Sequence, residues 1–147
     1  MGHEPGYPTP RVTADVVAVC GPREDRRLLL VERGNEPFKG RWALPGGFVD
    51  EYEEPGDAAA RELAEETAIR LDAPPSRIVG VYGGLGRDPR GWTVTVAYLA
   101  DLGAGDAPEP AGGDDAAQAR WWPVAALPPL AFDHDRIVSD ALALLDD

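Results

Sequence analysis

The sequence is poor in sulfur, in histidine and in positive charge. One cysteine, Cys20, one methionine and two histidines stand in 147 residues. A lone cysteine excludes an internal disulfide, a Cys-x-x-Cys redox pair and a cysteine zinc cluster. Cys20 ends the apolar run Val16-Val17-Ala18-Val19, so it reads as a buried structural thiol. No apolar run approaches the roughly 20 residues of a membrane span. The opening MGHEPGYPTPR has neither the basic start nor the apolar stretch of a signal peptide. The expectation is a soluble, cytoplasmic protein with no membrane partner. Lys and Arg number 14 against 26 Asp and Glu, a formal net charge of −12. Such a surface repels nucleic-acid backbones, so no nucleic-acid partner is expected. It equally repels a small phosphorylated ligand, and phosphate chemistry here would need bound divalent cations.

Apolar residues make up 44% of the chain and charged residues 27%, a globular composition. The length fits one domain, placed at residues 12–147 behind a flexible tail, residues 1–11, that carries three prolines and two glycines. Val12 to Cys20 reads as a buried strand, broken by Gly21-Pro22. With Leu28 to Val31 it forms a plausible hairpin. Residues 34–47 are rich in Gly and Pro and leave room for a short strand around Trp42 to Leu44. Pro55 to Ala68 is the clearest helix, with Pro55 in its first turn and Glu53, Glu54 and Asp57 near its N-terminus. Ile78 to Tyr82 is a strand candidate. From Trp92 to Leu99 the chain alternates, with Trp92, Val94, Val96 and Tyr98 on one face and Thr93, Thr95, Ala97 and Leu99 on the other. Residues 101–119 read as a long mobile loop, and Trp121 to Val124 as a short strand. Asp133 offers an N-cap for a last helix whose apolar face includes Ile137, Val138, Ala141, Leu142 and Leu145. Hairpins mixed with two helices predict an α/β sandwich around a mixed sheet.

The chemistry is most visible between Gly47 and Ile69, GFVDEYEEPGDAAARELAEETAI. At about 100° per residue, Glu65 and Glu66 fall roughly 60° and 40° to either side of Glu62. Ala60, Leu63, Ala64 and Thr67 lie on the opposite side. One helix can therefore bury that face and present three carboxylates together. Like charges at i, i+4 cost a few tenths of a kcal/mol, and Arg61 can answer them only in part, by reaching Glu65 or Asp57. The cluster of Glu62, Glu65 and Glu66 therefore either takes a compensating cation or is simply tolerated in water as a solvated helix face. Oxygen-only ligands suit Mg²⁺ or Mn²⁺.

The wider window resembles the Nudix box: Gly, five residues, Glu, seven residues, Arg-Glu, an aliphatic residue, any residue, Glu-Glu, any residue, Gly, an aliphatic residue. Gly47, Glu53, Arg61, Glu62, Leu63, Glu65, Glu66 and Ile69 fall on it. With each charged or Gly position matched by chance at about 0.1, on the order of 100 placements give roughly 10⁻⁴ accidental matches. The final glycine is replaced by Ala68, where glycine would ease a left-handed helix end. Arg33-Gly34, Pro37-Phe38, Gly40, Trp42 and Leu44-Pro45-Gly46-Gly47 look like the family's lead-in.

The resemblance implies a single α/β/α domain that hydrolyses a nucleoside diphosphate linked to another moiety with Mg²⁺ or Mn²⁺. It implies that Glu62, Glu65 and Glu66 bind metal with the carbonyl of Gly46, that Glu53 supports the site and that Arg61 orients the glutamates. Gly86 to Trp92 and Leu130 to Asp135 look like the branch of ADP-ribose pyrophosphatases and ADP-ribose-sensing regulators. ADP-ribose cleaved to AMP and ribose 5-phosphate is the leading expectation. Arg33, Arg87 and Arg90 are the substrate-binding candidates, since guanidinium suits phosphate and ribose. A turn with Pro89 second and Gly91 fourth explains Asp88, Pro89 and Gly91 by itself. Phe132 is expected as a core anchor and His134 as a first-turn surface residue. The resemblance leaves the base open between a box glutamate and an acidic residue on a distant loop, for which Glu109, Asp114 and Asp115 are candidates, and Tyr82, Trp92, Trp121 and Trp122 could stack adenine. A Nudix pyrophosphatase that sanitises nucleotide triphosphates is one alternative. A non-catalytic ADP-ribose sensor is another, although such regulators carry a following DNA-binding domain and the sequence ends at Asp147 without a basic segment. A homodimer is expected from the resemblance alone.

Overall fold

A computed structural model describes residues 6–112 and 116–146. Strand β1 (Arg11–Cys20) is its axis, with the eight residues from Thr13 to Cys20 all buried. A strand covered on both faces carries a continuous apolar run rather than an alternating one. It starts one residue ahead of the expected Val12. Gly21 then turns the chain at φ 98°, where a Cβ would meet the Asp25 carbonyl oxygen at 2.6 Å. A 3₁₀ turn (Arg23–Asp25) leads into β2 (Arg27–Arg33), antiparallel to β1 with Val19 opposite Leu28.

The remaining strands are β3 (Trp42–Ala43), β4 (Gly46–Phe48), β5 (Arg77–Tyr82), β6 (Thr93–Asp101) and β7 (Ala116–Pro123). They form one seven-stranded sheet in the order β3-β2-β1-β6-β5, with β4 also on β1 and β7 also on β2. β1 and β6 run parallel from Arg11/Thr93 to Val19/Asp101, while β4 pairs antiparallel with β1 and β5 antiparallel with β6, so the sheet is mixed. Helices α1 (Pro55–Thr67) and α2 (His134–Leu145) cover opposite faces. Ala14, Val16 and Ala18 of β1 pack with Ala58, Ala59 and Leu63 of α1. Val17 and Val19 pack with Ile137, Val138 and Ala141 of α2. This is the expected α/β/α sandwich. The alternation in β6 divides as expected too, with Val96 and Tyr98 on the α1 side and Ala97 and Leu99 on the α2 side. Among the described residues no helix is long and apolar enough to cross a membrane.

One local expectation is overturned, and another holds in position only. The expected loop at 101–119 is shorter, because β6 runs to Asp101 and β7 begins at Ala116. Ala119, Gln118 and Ala116 pair with Val31, Glu32 and Arg33 of β2. Alanine is a poor strand former in isolation, and pairing with an already formed neighbour decides its state. Asp133 does stand at the N-cap of α2, but its side chain makes no cap hydrogen bond. The carboxylate is taken by Arg87 instead.

Candidate active site

The two glycines of β4 bring the sheet and α1 within van der Waals reach. A Cβ on Gly47 would lie 2.6 Å from Cδ of Glu62, and one on Gly46 would overlap Asp15 Oδ1. Only hydrogen fits at either position. The Gly46 N–H donates to Glu66 Oε1 at 2.8 Å. Glu66 is thus folded against β4 rather than extended into solvent. Burial pushes its carboxyl up to about 8, and neighbouring Glu62 and Asp15 add to the rise. Burial also raises Glu62, against the pull of Arg61. The buried face of α1 comprises Ala58, Ala59, Leu63 and Thr67. Ala60 and Ala64, expected on that face, are half-buried.

Arg61 works from behind these glutamates. Its Nε and Nη2 each donate to Glu53 at 2.9 Å, Nη1 reaches Glu62 at 2.8 Å and Glu65 at 3.4 Å, and Nη2 reaches the Phe48 carbonyl at 3.1 Å. The bidentate contact holds Glu53 down at about 2, helped by the Asp50 N–H.

A cleft of about 400 Å³ opens in front of the glutamates, within the usual size of small-molecule sites, roughly 300–1,000 Å³. Asp15, Arg33, Gly46, Phe48, Glu62, Glu65, Glu66, Arg87, Arg90, Phe132 and His134 are among its lining. Glu53 and Arg61 stand outside that lining and support it from the rear. Among the described residues no three Asp, Glu, His or Cys side chains stand close enough together to hold a metal ion by themselves. Mg²⁺ does not need such a set, since it keeps several waters and is held by one or two carboxylates with substrate phosphates. The donor set fits such an ion, being all oxygen, with Glu66 destabilised by burial until a cation compensates it.

The arginines are already engaged. Arg87, 6% exposed at its side chain, grips Asp133 at 2.6 and 2.8 Å. Arg90 holds Asp88 at 2.8 Å and lies over the rings of Phe48 and Phe132, 5.0 and 5.3 Å from their centroids. Arg33 donates to the Pro37 carbonyl at 2.7 Å and stacks 5.0 Å from the Phe132 centroid. The predicted turn is present, with Gly91 N–H donating to Asp88 O.

Several other expectations fall elsewhere. Tyr82 donates to Asp140 at 2.7 Å, and Trp121 donates to the Pro108 carbonyl. Trp122 packs edge-on to Trp42, and Trp92 is half exposed. None of these four lines the cleft; the aromatics that do are Phe48 and Phe132. Glu109 is exposed and off the cleft, and Asp114 and Asp115 lie outside the described residues. His134 is no surface residue: it is 5% exposed and accepts the Leu44 N–H at 3.0 Å. Asp15, 6% exposed on the cleft floor, was not anticipated. A lone acid inside the run Val12–Cys20 was the available signal.

Comparisons with known proteins agree with this geometry. The NUDIX domain model matches residues 9–141. The chain is 43% identical over 125 residues to an ADP-ribose pyrophosphatase of Methanocaldococcus jannaschii, covering 84% of this chain and 71% of that protein. It is 35% identical over 143 residues to the ADPR responsive transcriptional repressor NtrR of Acinetobacter baylyi, covering 96% of this chain and 56% of the repressor. Among solved structures, the NUDIX domain of Shewanella oneidensis NrtR complexed with ADP ribose superposes with a TM-score of 0.82 at 34% identity, covering 97% and 94%. A MutT/nudix family protein of Enterococcus faecalis gives 0.88 at 32%, covering 99% of this chain and 66% of that one. With the box residues gathered between β4 and α1 and the family model spanning nearly the whole chain, this protein belongs to the Nudix hydrolase family.

Proposed function

We propose that the chain hydrolyses the pyrophosphate bond of ADP-ribose, yielding AMP and ribose 5-phosphate, in the cytoplasm and with Mg²⁺ or Mn²⁺. The carrying observation is the half-buried Glu66 carboxyl, held by one backbone N–H beside Glu62 and Asp15, on a cleft lined by three arginines. In this reading Glu62, Glu65, Glu66 and the Gly46 carbonyl hold the metal. When bound, the metal neutralises phosphate charge and acidifies a water. Arg61 keeps Glu62 and Glu65 aligned, and Glu53 keeps Arg61 in place. Arg33 and Arg90 present cationic, ring-stacked faces toward the diphosphate, and Arg87 fixes the loop that carries Arg90. The similarity to an ADP-ribose pyrophosphatase supports the substrate. The homodimer implied by the resemblance is part of the proposal, and light scattering gives its mass.

A panel of nucleoside diphosphate derivatives and nucleotide triphosphates, assayed with Mg²⁺ and Mn²⁺ in labelled water, tests the substrate and locates the attacked phosphorus. ADP-ribose is expected to be turned over fastest; faster turnover of oxidised nucleotide triphosphates would replace the reading with the sanitising one. A second reading has its own observation, the similarity to a repressor. A sensor would bind ADP-ribose and release no AMP after long incubation with Mg²⁺.

A further inference from the structure

His134 and Asp15 remain unused by the chemistry above, although both are buried on the floor of the cleft. Burying a histidine and a carboxylate is unfavourable unless their polar atoms are engaged. Here they are. His134, the first residue of α2, reaches 90 positions back to accept the Leu44 N–H on Nδ1 at 3.0 Å. That acceptor role assigns the ring proton to Nε2. Asp15 Oδ2 lies 3.8 Å from Nε2, too long for a hydrogen bond but placed to favour the proton there. The Thr95 hydroxyl donates to the same oxygen at 2.5 Å and fixes the carboxylate.

The segment so held is the one that reaches the metal ligands. Leu44 is pinned by His134, Pro45 by the Val16 N–H donating to its carbonyl at 2.9 Å, and Gly46 by donating to Glu66. Three successive residues are each tied to a different element: α2, β1 and α1. Remove the first tie and the Leu44 amide is a buried donor with nothing to donate to. The backbone then shifts to find a partner, and Gly46 is two residues away.

We infer that His134, oriented by Asp15 and Thr95, is a positioning residue for the metal site, setting the Leu44–Gly46 backbone and through it the Gly46 carbonyl and the Glu66 carboxylate. The inference rests on the metal assignment proposed above. Outer groups of this kind typically change metal affinity or activity by about 10–100-fold when removed.

The test compares His134→Asn, His134→Gln and His134→Leu in the full chain. Asparagine puts an amide oxygen where Nδ1 stands and keeps an acceptor for Leu44. Glutamine puts its amide at the Nε2 position, and leucine offers no acceptor. Mn²⁺ binding is read without substrate by electron paramagnetic resonance, alongside kcat and KM for ADP-ribose and the melting temperature. His134→Gln and His134→Leu are expected to raise the Mn²⁺ Kd about tenfold and lower kcat with KM unchanged, while His134→Asn stays within about threefold of wild type. Wild-type binding in all three overturns the inference. So does equal impairment in all three, which would mean that the ring merely fills space. Should the leucine variant fail to fold, the Asn and Gln pair decides alone. A wild-type protein that takes up no Mn²⁺ sinks the functional reading first, and this inference with it.

Discussion

Ala68 closes α1 with φ 63° and ψ 7°, its N–H donating to the Ala64 carbonyl. That left-handed conformation strains any residue with a Cβ. The glycine usual in the box would relieve it, so the geometry survives the substitution at a cost in stability. Ala68→Gly should therefore stabilise the protein by about 1 kcal/mol, or roughly 3 °C by calorimetry. No gain would mean that the strain is absorbed elsewhere. At this scale the box glutamates, Arg61 and Gly47 were legible, because side-chain type and spacing carry their chemistry. The contacts of Arg87 and Arg90 were not. A guanidinium matches Asp133 and Asp88 as well as it matches phosphate, and only the fold chooses. His134 was misjudged for a related reason: a first-turn position is exposed on an isolated helix, and here the Leu44 backbone, Asp15 and the Phe132 ring surround it.

Between elements, two clasps stand out. Arg61 fastens α1 to the stretch before it, with three carboxylates and one carbonyl on a single fork. Lysine keeps the charge but cannot span that set. Arg61→Lys should lower kcat about tenfold or more and weaken Mn²⁺ binding, with the helix content unchanged by circular dichroism. The Arg87–Asp133 pair ties the loop between β5 and β6 to the start of α2. Breaking one partner of a buried pair strands the other, so Arg87→Leu should destabilise by about 3 kcal/mol in urea denaturation. A loss below 0.5 kcal/mol would show the loop to be independent of α2. Strands β1, β2, β5 and β6 and both helices could be read from periodicity. Of β7 only the stretch from Trp121 to Pro123 could be; its first part, Ala116 to Arg120, could not, since pairing with β2 rather than its own residue types makes it a strand.

Across the whole molecule, the acidic balance and the half-buried Glu66 act together. Its carboxyl titrates near 8 in the fold against an ordinary 4.5. The folded state therefore holds a proton that the unfolded chain has lost between those values. The contribution of Glu66 to the stability of the metal-free protein is full below about 4.5 and declines as pH rises toward 8, by an upper bound on the order of 5 kcal/mol. Melts in a chelator should fall across that window, and Glu66→Gln should flatten them. Added Mg²⁺ should raise the melting temperature most at the alkaline end. In turnover, Glu66→Gln should lose about a hundredfold or more of kcat with the fold intact; a wild-type rate would refute the metal assignment.

At two neighbouring glycines of β4 the clearance is a single hydrogen atom, at Gly47 toward Glu62 of α1 and at Gly46 toward Ala14 and Asp15 of β1. Such a seam has no slack. Mild swelling of the sandwich would part Glu62 and Glu66 from the strand long before either apolar layer admits water. Turnover should then fade at urea concentrations where tryptophan fluorescence still reports an intact interior, making catalysis the more sensitive gauge of how tightly this molecule is closed.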